Sequence, residues 1–267
     1  MEPMLNIALR AARSAGEIVA RATEQIDMLE VKEKSANDFV TEVDQAAEKE
    51  VIYHLSKAHP DHAFLGEEGG LQGNANSDYQ WIIDPIDGTT NFVRGIPHFA
   101  ISIACLYKGQ IEHAVILDPI RREEFTASRG KGAQLNGRRM RVSSNKSLDG
   151  TLIGTGIPFK SRSEAHIPAY TQSLEAVAKQ TAGIRRAGAA SLDLAYVAAG
   201  RLDAFWEIGL NKWDIAAGVL LVRECGGLVS DFNGGNDFME SGNIVAGNPK
   251  CFKALLQTIQ PHLKHIK

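Results

Sequence analysis

A short apolar run that stops at two aspartates constrains this chain more than any other stretch. The sequence WIIDPIDGTTN occupies residues 81–91, and its apolar part ends directly at Asp84. Pro85 has no N–H and a fixed φ, so we expect the chain to turn there and to bring Asp87 back to the side of Asp84. The stretch therefore predicts a strand that leaves the core at a pair of carboxylates and runs into the start of a helix.

These carboxylates indicate a site for a divalent cation. Asp84, Asp87 and the carbonyl of Ile86, which has no obvious helix or ladder partner, place three oxygens within four residues. Mg²⁺ prefers oxygen ligands at about 2.0–2.1 Å. A helix that begins near Gly88 would also direct N–H groups at an anion such as phosphate. A metal beside a phosphate is the arrangement that phosphoryl transfer requires.

Each acidic candidate also has a purely structural interpretation. The sequence DPIDG fits a turn followed by a helix cap. The pair Glu67-Glu68 follows a short predicted strand and fits a solvated loop. Asp214 opens an apolar helix, where an aspartate favours the helix dipole, and Thr41 with Asp44 has the spacing of a helix start. Taken one at a time, these positions leave both interpretations open.

The order of predicted elements indicates an α/β protein with an antiparallel section in its first half. Predicted helices cover residues 4–22, 42–58, 166–180, 190–199, 213–225 and 249–265. Predicted strands cover 63–65, 81–83, 151–156, 203–208 and several short stretches over 99–142, whereas 69–78 have the composition of a loop. A polar seam at 143–150 predicts two halves, 1–147 and 148–267, joined in one compact unit.

Composition excludes several classes of protein. The formal net charge of −3 over 267 residues argues against nonspecific nucleic-acid binding, which needs a basic excess. The three cysteines are far apart and form no C-x-x-C, so we expect neither a disulfide framework nor a zinc site, and a reducing cytoplasm fits best. Neither a signal peptide nor a run of about 18 apolar residues is present, so we expect no membrane span.

A basic cluster is the other notable feature. Residues 121–141 contain seven arginines and lysines, partly offset by Glu123 and Glu124. On a β-meander such a cluster is most often a solvated face, and the alternative is a site for a polyanion or a protein partner.

Three segments together resemble the inositol monophosphatase family. GEE at 66–68, WIIDPIDGTTNF at 81–92 and WDIAAGVLLVRECGG at 213–227 occur in the family's order and spacing, and the resemblance covers nearly the whole chain. It implies a layered αβαβα sandwich and Mg²⁺-dependent hydrolysis of small phosphorylated polyols, above all myo-inositol 1-phosphate. It also implies two to three Mg²⁺ ions, inhibition by Li⁺ and a homodimer.

The resemblance further implies a role for each acidic candidate. Glu67, Asp84 and the Ile86 carbonyl would ligate one Mg²⁺, and Glu67 would also touch a third, weaker ion. Asp84, Asp87 and Asp214 would ligate the second. Thr89, supported by Asp44, would orient the attacking water. In such sites one cation activates that water and another neutralises the departing alkoxide, so no covalent phosphoenzyme is required.

The implied substrate contacts come from both halves of the chain. They are Asp87, Gly88, Thr89, Arg185, Gly188, Ala189, Ala190, Glu207 and Asp214. The N–H groups of Gly88 and Thr89 would hold the phosphate, whereas Glu207 and Ala190 would contact the inositol ring. Without the resemblance, Glu207 and Arg185 would be interpreted as solvated charges. Family members often carry a hydroxyl residue where this chain has Ala189, so a contact through that hydroxyl is lost here.

The family also includes a bacterial member with a second role in ribosomal RNA transcription antitermination. Its partners are RNA polymerase and Nus factors. The resemblance therefore implies, as an alternative or a coexisting function, a regulatory binding protein. The basic cluster at 121–141 and the pair Arg185-Arg186 could contribute to such contacts.

Overall fold

The computed structural model describes residues 2–28, 31–35, 38–158 and 164–266. The helices in these ranges are α1 Pro3–Ala22, α2 Glu42–Ala58, α3 Thr89–Val93, α4 Ile167–Ala178, α5 Ala190–Ala198, α6 Lys212–Glu224, α7 Phe238–Ser241 and α8 Pro249–Leu263, with 3₁₀ turns at Thr23–Met28 and Glu164–His166. The strands are β1 Val31–Ser35, β2 Asp38–Thr41, β3 Ala63–Gly66, β4 Gly70–Gly73, β5 Tyr79–Asp87, β6 Ala100–Tyr107, β7 Gln110–Asp118, β8 Glu123–Ser128, β9 Gly132–Leu135, β10 Arg138–Arg139, β11 Leu152–Thr155, β12 Gly183–Arg185, β13 Ala204–Glu207, β14 Leu228–Ser230 and β15 Ile244–Gly247.

Two large sheets organise the described chain. The first has eight strands in the order β10-β9-β8-β7-β6-β5-β3-β4, and its neighbours run antiparallel except for the parallel pair β3 and β5. The second has five strands in the order β12-β11-β13-β15-β14, with β11 parallel to both of its neighbours. Strands β1 and β2 form a separate hairpin. The predicted α/β class with an antiparallel section in the first half is confirmed.

Helices cover both faces of both sheets. Successive side chains of a strand point to opposite faces. In β5, Trp81 and Ile83 accordingly pack with α1 and α2, whereas Ile82 packs with α5 and α6. In β13, Phe205 joins that same middle core, whereas Trp206 packs with α4 and α8. The layers are therefore α1/α2, first sheet, α5/α6, second sheet and α4/α8, which confirms the αβαβα sandwich.

The sequence missed several short strands. Residues 70–73, inside the predicted loop, form β4 and pair antiparallel with β3, so the loop prediction is wrong there. Gly70 and Gly73 both have positive φ, which explains the loop-like composition of a strand whose ends turn sharply. The hairpin β1–β2 and the edge strand β12 were also not predicted. Each is held by its pairing with a neighbour, and pairing is not visible in local composition.

The division at residues 147 and 148 stays a prediction. The first sheet lies within residues 63–139 and the second within 152–247. Helices α5 and α6 belong to the second segment, yet they pack against both sheets. None of the helices in the described ranges is long and apolar enough to cross a bilayer.

The contact between α5 and α6 generates a stability prediction. A Cβ atom added to Gly218 in α6 would lie 2.5 Å from the Cβ of Leu194 in α5. In an open helix, Gly→Ala gains about 0.5–1 kcal/mol, but overpacking costs about 1–3 kcal/mol. We therefore expect Gly218→Ala to lower the free energy of unfolding, measured by urea denaturation.

Gly16 in α1 is the matched control. A Cβ there would meet the Cδ2 atom of Leu117 at 2.8 Å, the far end of a flexible side chain that can move. Gly16→Ala should therefore cost less than Gly218→Ala. A Gly218→Ala protein as stable as the parent would contradict the close approach of the two helices.

Candidate active site

The parallel pairing of β3 with β5 brings Glu67 beside Asp84. Gly66 pairs with Ile83 in register, and the N–H of Glu67 donates to the carbonyl of Ile83 at 3.1 Å. Because parallel neighbours end at the same edge of a sheet, the residues that follow the paired positions emerge together. The charge of Glu67 is the largest electrostatic influence on Asp84 after burial, and it raises the pKa of that carboxyl.

A β-bulge brings Asp87 to the side of Asp84. The strand continues to Asp87 rather than ending at Ile83 as predicted. Residues three apart in a regular strand would face opposite sides. In β5, Asp84 pairs with Ser102 and Asp87 with Ala100, so one extra residue is inserted between them. The expected convergence of the two aspartates is confirmed, by a bulge within the strand.

The N-terminus of α6 supplies the third carboxylate. Asp214 occupies the third helical position and accepts the N–H of Asn211 at 2.6 Å, as one half of a capping box. The Ser102 hydroxyl donates to the carbonyl of Trp213 at 3.2 Å, and Ser102 is the register partner of Asp84. This contact fixes the start of α6 beside the carboxylates of β5.

The three aspartates form one buried cluster. One oxygen each from Asp84, Asp87 and Asp214 lies within 4.8 Å of the others. Burial, followed by the charges of Glu67, Asp87, Asp214 and Asp44, raises the pKa of Asp84 well above its usual range. Burial raises the pKa of Asp87 to about 6, although hydrogen bonds from Ser191 and Ala190 oppose the rise.

An all-oxygen set under mutual repulsion fits a hard divalent cation. Capping does not exclude this role, because a carboxylate has about four acceptor positions. The cap and metal interpretations of Asp214 are therefore compatible.

The second predicted pair, Asp44 and Thr89, is also in contact. Asp44 lies in the first turn of α2 and forms a capping box with Thr41, whose N–H and hydroxyl donate to Oδ2 at 2.8 and 2.6 Å. Its other oxygen, Oδ1, lies 3.2 Å from the Thr89 hydroxyl. The same hydroxyl lies 2.9 Å from the carbonyl of Ile86, so the partner of that carbonyl is a side chain. Asp44 thus links a helix cap to the turn after β5.

Three polar residues that the sequence analysis did not single out hold these elements in place. The buried carboxylate of Glu48, one turn after Asp44 in α2, accepts the N–H groups of Glu68 and Gly69 at 2.8 and 2.7 Å and so positions the loop that carries Glu67. Ser191 donates its N–H to Asp87 at 2.7 Å, and its hydroxyl contacts the same oxygen.

The side-chain amide of Asn91 donates to the carbonyls of His98 and Ala187, at 2.8 and 2.9 Å. This ties the turn after β5 to the loop before α5. The helical spacing of Glu48 and Asp44 was a usable signal. The contacts of Ser191 with Asp87 and of Asn91 with Ala187 join residues about a hundred positions apart, and the sequence gave no signal for them.

Gly88 allows the turn after β5 to lie close to the loop before α5. It has φ +94°, and a Cβ there would lie 3.1 Å from the carbonyl oxygens of Gly188 and His98 and 3.2 Å from the Cβ of Ala189. Thus Gly88, directly before α3, approaches the predicted contacts Gly188 and Ala189, directly before α5. Two segments a hundred residues apart form one wall of the site.

Glu207 lies at the end of β13 and is buried. Burial, and then the charges of Asp193, Asp214 and Asp87, raise its pKa well above the usual range. A Cβ at Gly156 would fall 1.8 Å from its Oε1 atom, so only glycine leaves room for this carboxyl. The structure therefore brings Glu207 to the aspartate cluster and excludes the interpretation as a solvated charge.

The charge of Arg186, rather than that of Arg185, acts on two buried carboxyls at this site, those of Glu207 and Asp193. The charge of Arg186 opposes the rise in pKa of both Glu207 and Asp193. Arg185 is exposed at the edge strand β12, and its guanidinium donates to the carbonyl of Ile184 at 3.1 Å. A substrate contact for Arg185 stays a prediction.

The basic cluster is partly neutralised within the fold. Arg121 pairs with Asp118 at 2.9 Å, and Arg129 pairs with Glu112 at 3.5 Å. Arg138 and Arg139 form the exposed edge strand β10, where charged side chains discourage pairing with another chain. These contacts favour the solvated-face interpretation for much of the cluster.

Comparison with known proteins places this site in a family. The sequence matches the inositol monophosphatase family over residues 1–264. A protein of Pseudomonas aeruginosa named Nus factor SuhB is 65% identical over 265 residues, covering 98% of both chains. The Nus factor SuhB of Escherichia coli K12 is 53% identical over 263 residues, again covering 98% of both.

Solved structures agree with the sequence matches. The extragenic suppressor protein SuhB of Bartonella henselae superposes with a TM-score of 0.93 at 44% identity, over 97% of this chain and 98% of the other. An inositol monophosphatase from Anabaena superposes with a TM-score of 0.86 at 34% identity, over 97% of each chain. The chain belongs to the inositol monophosphatase family, and the predicted resemblance is confirmed.

The repulsion within the cluster predicts how stability depends on pH. The folded pKa of Asp87, about 6, exceeds its ordinary value of 3.8, so the folded protein binds more protons between these values. Its contribution to the free energy of unfolding is thus fully present below about pH 4 and is lost as the pH rises through about 6. We expect metal-free protein to lose stability over this range.

The measurement is urea denaturation across the pH range, comparing the parent with Asp87→Asn. The difference between the two curves reports Asp87 together with its repulsion on Asp84, and the stability of Asp87→Asn relative to the parent should increase as the pH rises. A difference that is flat from pH 4 to 7 would contradict the raised pKa.

Proposed function

We propose that this protein is a Mg²⁺-dependent phosphomonoester hydrolase that acts on myo-inositol 1-phosphate. The observation that carries the proposal is the buried cluster of Asp84, Asp87 and Asp214, whose oxygens lie within 4.8 Å of one another. Membership of the inositol monophosphatase family supports the phosphatase class. Inhibition by Li⁺, a homodimer and a cytoplasmic location remain predictions of the resemblance.

The residues that would hold Mg²⁺ are Glu67, the three aspartates and the Ile86 carbonyl. When bound, two such ions activate a water and neutralise charge on the leaving oxygen. The residues of the chain would orient the attacking water and the phosphate. The hydroxyl of Thr89, between Asp44 Oδ1 and the Ile86 carbonyl, is held where it can accept a hydrogen bond from that water. The N–H groups of Gly88 and Thr89 are the proposed donors to the phosphate.

The polyol end of the substrate would lie against the wall formed by Glu207 and the start of α5. Glu207 is buried beside Asp87 and Asp214, and a carboxyl there can accept hydrogen bonds from substrate hydroxyls. Ala190 contributes backbone at the same wall, and Ala189 contributes a methyl group where a hydroxyl is frequent in the family. A substrate contact through that hydroxyl would be lost here, whereas contacts through the backbone N–H groups would remain.

Catalysis is tested by phosphate release from myo-inositol 1-phosphate. We expect Asp84→Asn and removal of Mg²⁺ each to abolish activity, since both remove the cation that the mechanism requires. Thr89→Ala should lose about 10²-fold or more in kcat because it removes the positioned hydroxyl, whereas Thr89→Ser should retain most of it. Activity that survives chelation or Asp84→Asn would reject the proposal.

The substrate class is tested at Glu207. Glu207→Gln keeps the volume of the side chain but changes its hydrogen-bonding pattern, so kcat/KM for myo-inositol 1-phosphate should fall about tenfold or more, as for a lost hydrogen bond to a charged group. The kcat/KM for p-nitrophenyl phosphate, which has no polyol hydroxyls, should change little. Equal losses on both substrates would assign Glu207 to the metal site instead.

A second function is favoured by the relatives. Proteins that are 65% and 53% identical over nearly the whole chain are named Nus factors. We therefore also propose that this protein binds the transcription machinery in ribosomal RNA antitermination, with RNA polymerase and Nus factors as partners. The exposed arginines at 138 and 139 are candidate contacts apart from the aspartate cluster, and the pair Arg185-Arg186 is a further candidate near the site, where Arg186 also acts on Glu207.

Pull-down with RNA polymerase and NusA separates the two roles. We expect Asp84→Asn to bind both partners as the parent does, because its change is confined to the buried cluster. Charge reversal at Arg138 and Arg139 should weaken binding without lowering phosphatase activity. Failure of the parent protein to retain either partner would reject the second function and leave the first untouched.

A further inference from the structure

A pocket of about 400 Å³ lies at the end of α6 opposite to the aspartate cluster. Ile111, Val219 and Leu220 line its apolar part, and Arg129, Arg223 and Glu224 line its polar part together with Gly130. Ten residues of α6 separate Glu224 from Asp214, which corresponds to about 15 Å along the helix. The pocket is therefore spatially separate from the candidate active site.

The wall of the pocket is fixed by Glu224. Its two carboxylate oxygens accept the N–H groups of Gly130 and Gly132 at 2.8 and 2.7 Å, which fastens the β8–β9 turn to the end of α6. The carboxylate is therefore engaged by backbone donors.

Two guanidinium groups, those of Arg129 and Arg223, line this pocket together with the carboxylate of Glu224. Arg223 lies over the ring of Phe238 at 5.4 Å, and the structure records no ion pair for it among the described residues. Arg223 is exposed at the rim, and partial desolvation of its guanidinium, followed by the charge of Arg129, lowers its pKa, so the two positive charges act on each other.

The donors of Arg129 are only partly used. Its Nε atom donates to the carbonyl of Ile111 at 3.2 Å and lies 3.5 Å from Glu112, and its Nη2 atom donates to Gln110 at 2.8 Å. For the Nη1 atom, no acceptor is recorded in the described part of the chain. A like-charged pair with spare donors is stabilised by an anion placed between its members.

We propose that this pocket binds a small organic anion, with a carboxylate or phosphoryl head between Arg129 and Arg223 and an apolar body against Ile111, Val219 and Leu220. The volume matches that of small-molecule sites, which combine an apolar lining with a few polar groups. Arginine suits the head group because its planar fork of donors matches both kinds of oxyanion. The pocket differs from the aspartate cluster in charge, since its one lining carboxylate, Glu224, already accepts two backbone N–H groups and two arginines lie beside it.

The test is an NMR titration of the full-length, metal-free protein, followed through the Nε–H signals of its arginines. Phenylphosphonate and benzoate serve as probes, and methylphosphonate provides the head group alone. We expect saturable shifts of the Arg129 and Arg223 signals with a dissociation constant of about 1 mM or lower. Methylphosphonate should bind about tenfold more weakly or worse, because it lacks the apolar body.

Matched variants identify the site. Arg223→Ala should weaken phenylphosphonate binding by about tenfold or more, whereas Arg138→Ala, at an exposed edge without a recorded ion pair, should leave it unchanged. Asp84→Asn should bind the probe as the parent does, which separates this pocket from the active site. Shifts that do not saturate, or equal losses in Arg223→Ala and Arg138→Ala, would overturn the proposal. Preference for one head group over the other would define the ligand class.

Discussion

Repulsion between buried carboxylates is the constraint around which this molecule is built. Asp84, Asp87 and Asp214 present oxygens within 4.8 Å of one another, and burial raises the pKa of both strand aspartates. Charges so placed are unfavourable unless a cation joins them, because desolvation and repulsion act in the same direction. The rest of the fold must therefore hold the carboxylates together without metal and leave them available when metal arrives.

The N-termini of three helices position and stabilise these carboxylates. Asp44 and Asp214 each occupy the third position of a helix and complete a capping box, so each is anchored by its own helix as well as facing the site. Asp87 receives the N–H and the hydroxyl of Ser191 in the first turn of α5. Three helices from separate parts of the chain thus direct their positive ends at one acidic cluster, and this partly offsets the repulsion.

The same helices connect the site to the rest of the fold. Helices α5 and α6 fill the layer between the two sheets, so Asp214 and the wall at residues 188–190 reach the carboxylates of β5 from the other side of the middle core. Helix α6 also extends to the pocket between Arg129 and Arg223 at its far end. The sandwich therefore separates the aspartate cluster at one end of α6 from the pocket at the other end.

The sequence by itself determined the long helices, the acidic candidates and the chemistry that oxygen ligands favour, whereas it missed several short strands. The helix periodicity of residues 4–22, the Thr41–Asp44 cap and the run DPIDGTT are local signals, and local signals survive without tertiary context. Tertiary structure alone decided which acids meet. The parallel register of β3 and β5 sets Glu67 beside Asp84, and a one-residue bulge turns Asp87 to the same face. The contacts of Glu48 with Glu68, of Asn91 with Ala187 and of Ser191 with Asp87 join residues 20 to 104 positions apart, and no local pattern encodes a pairing that only the folded layers create.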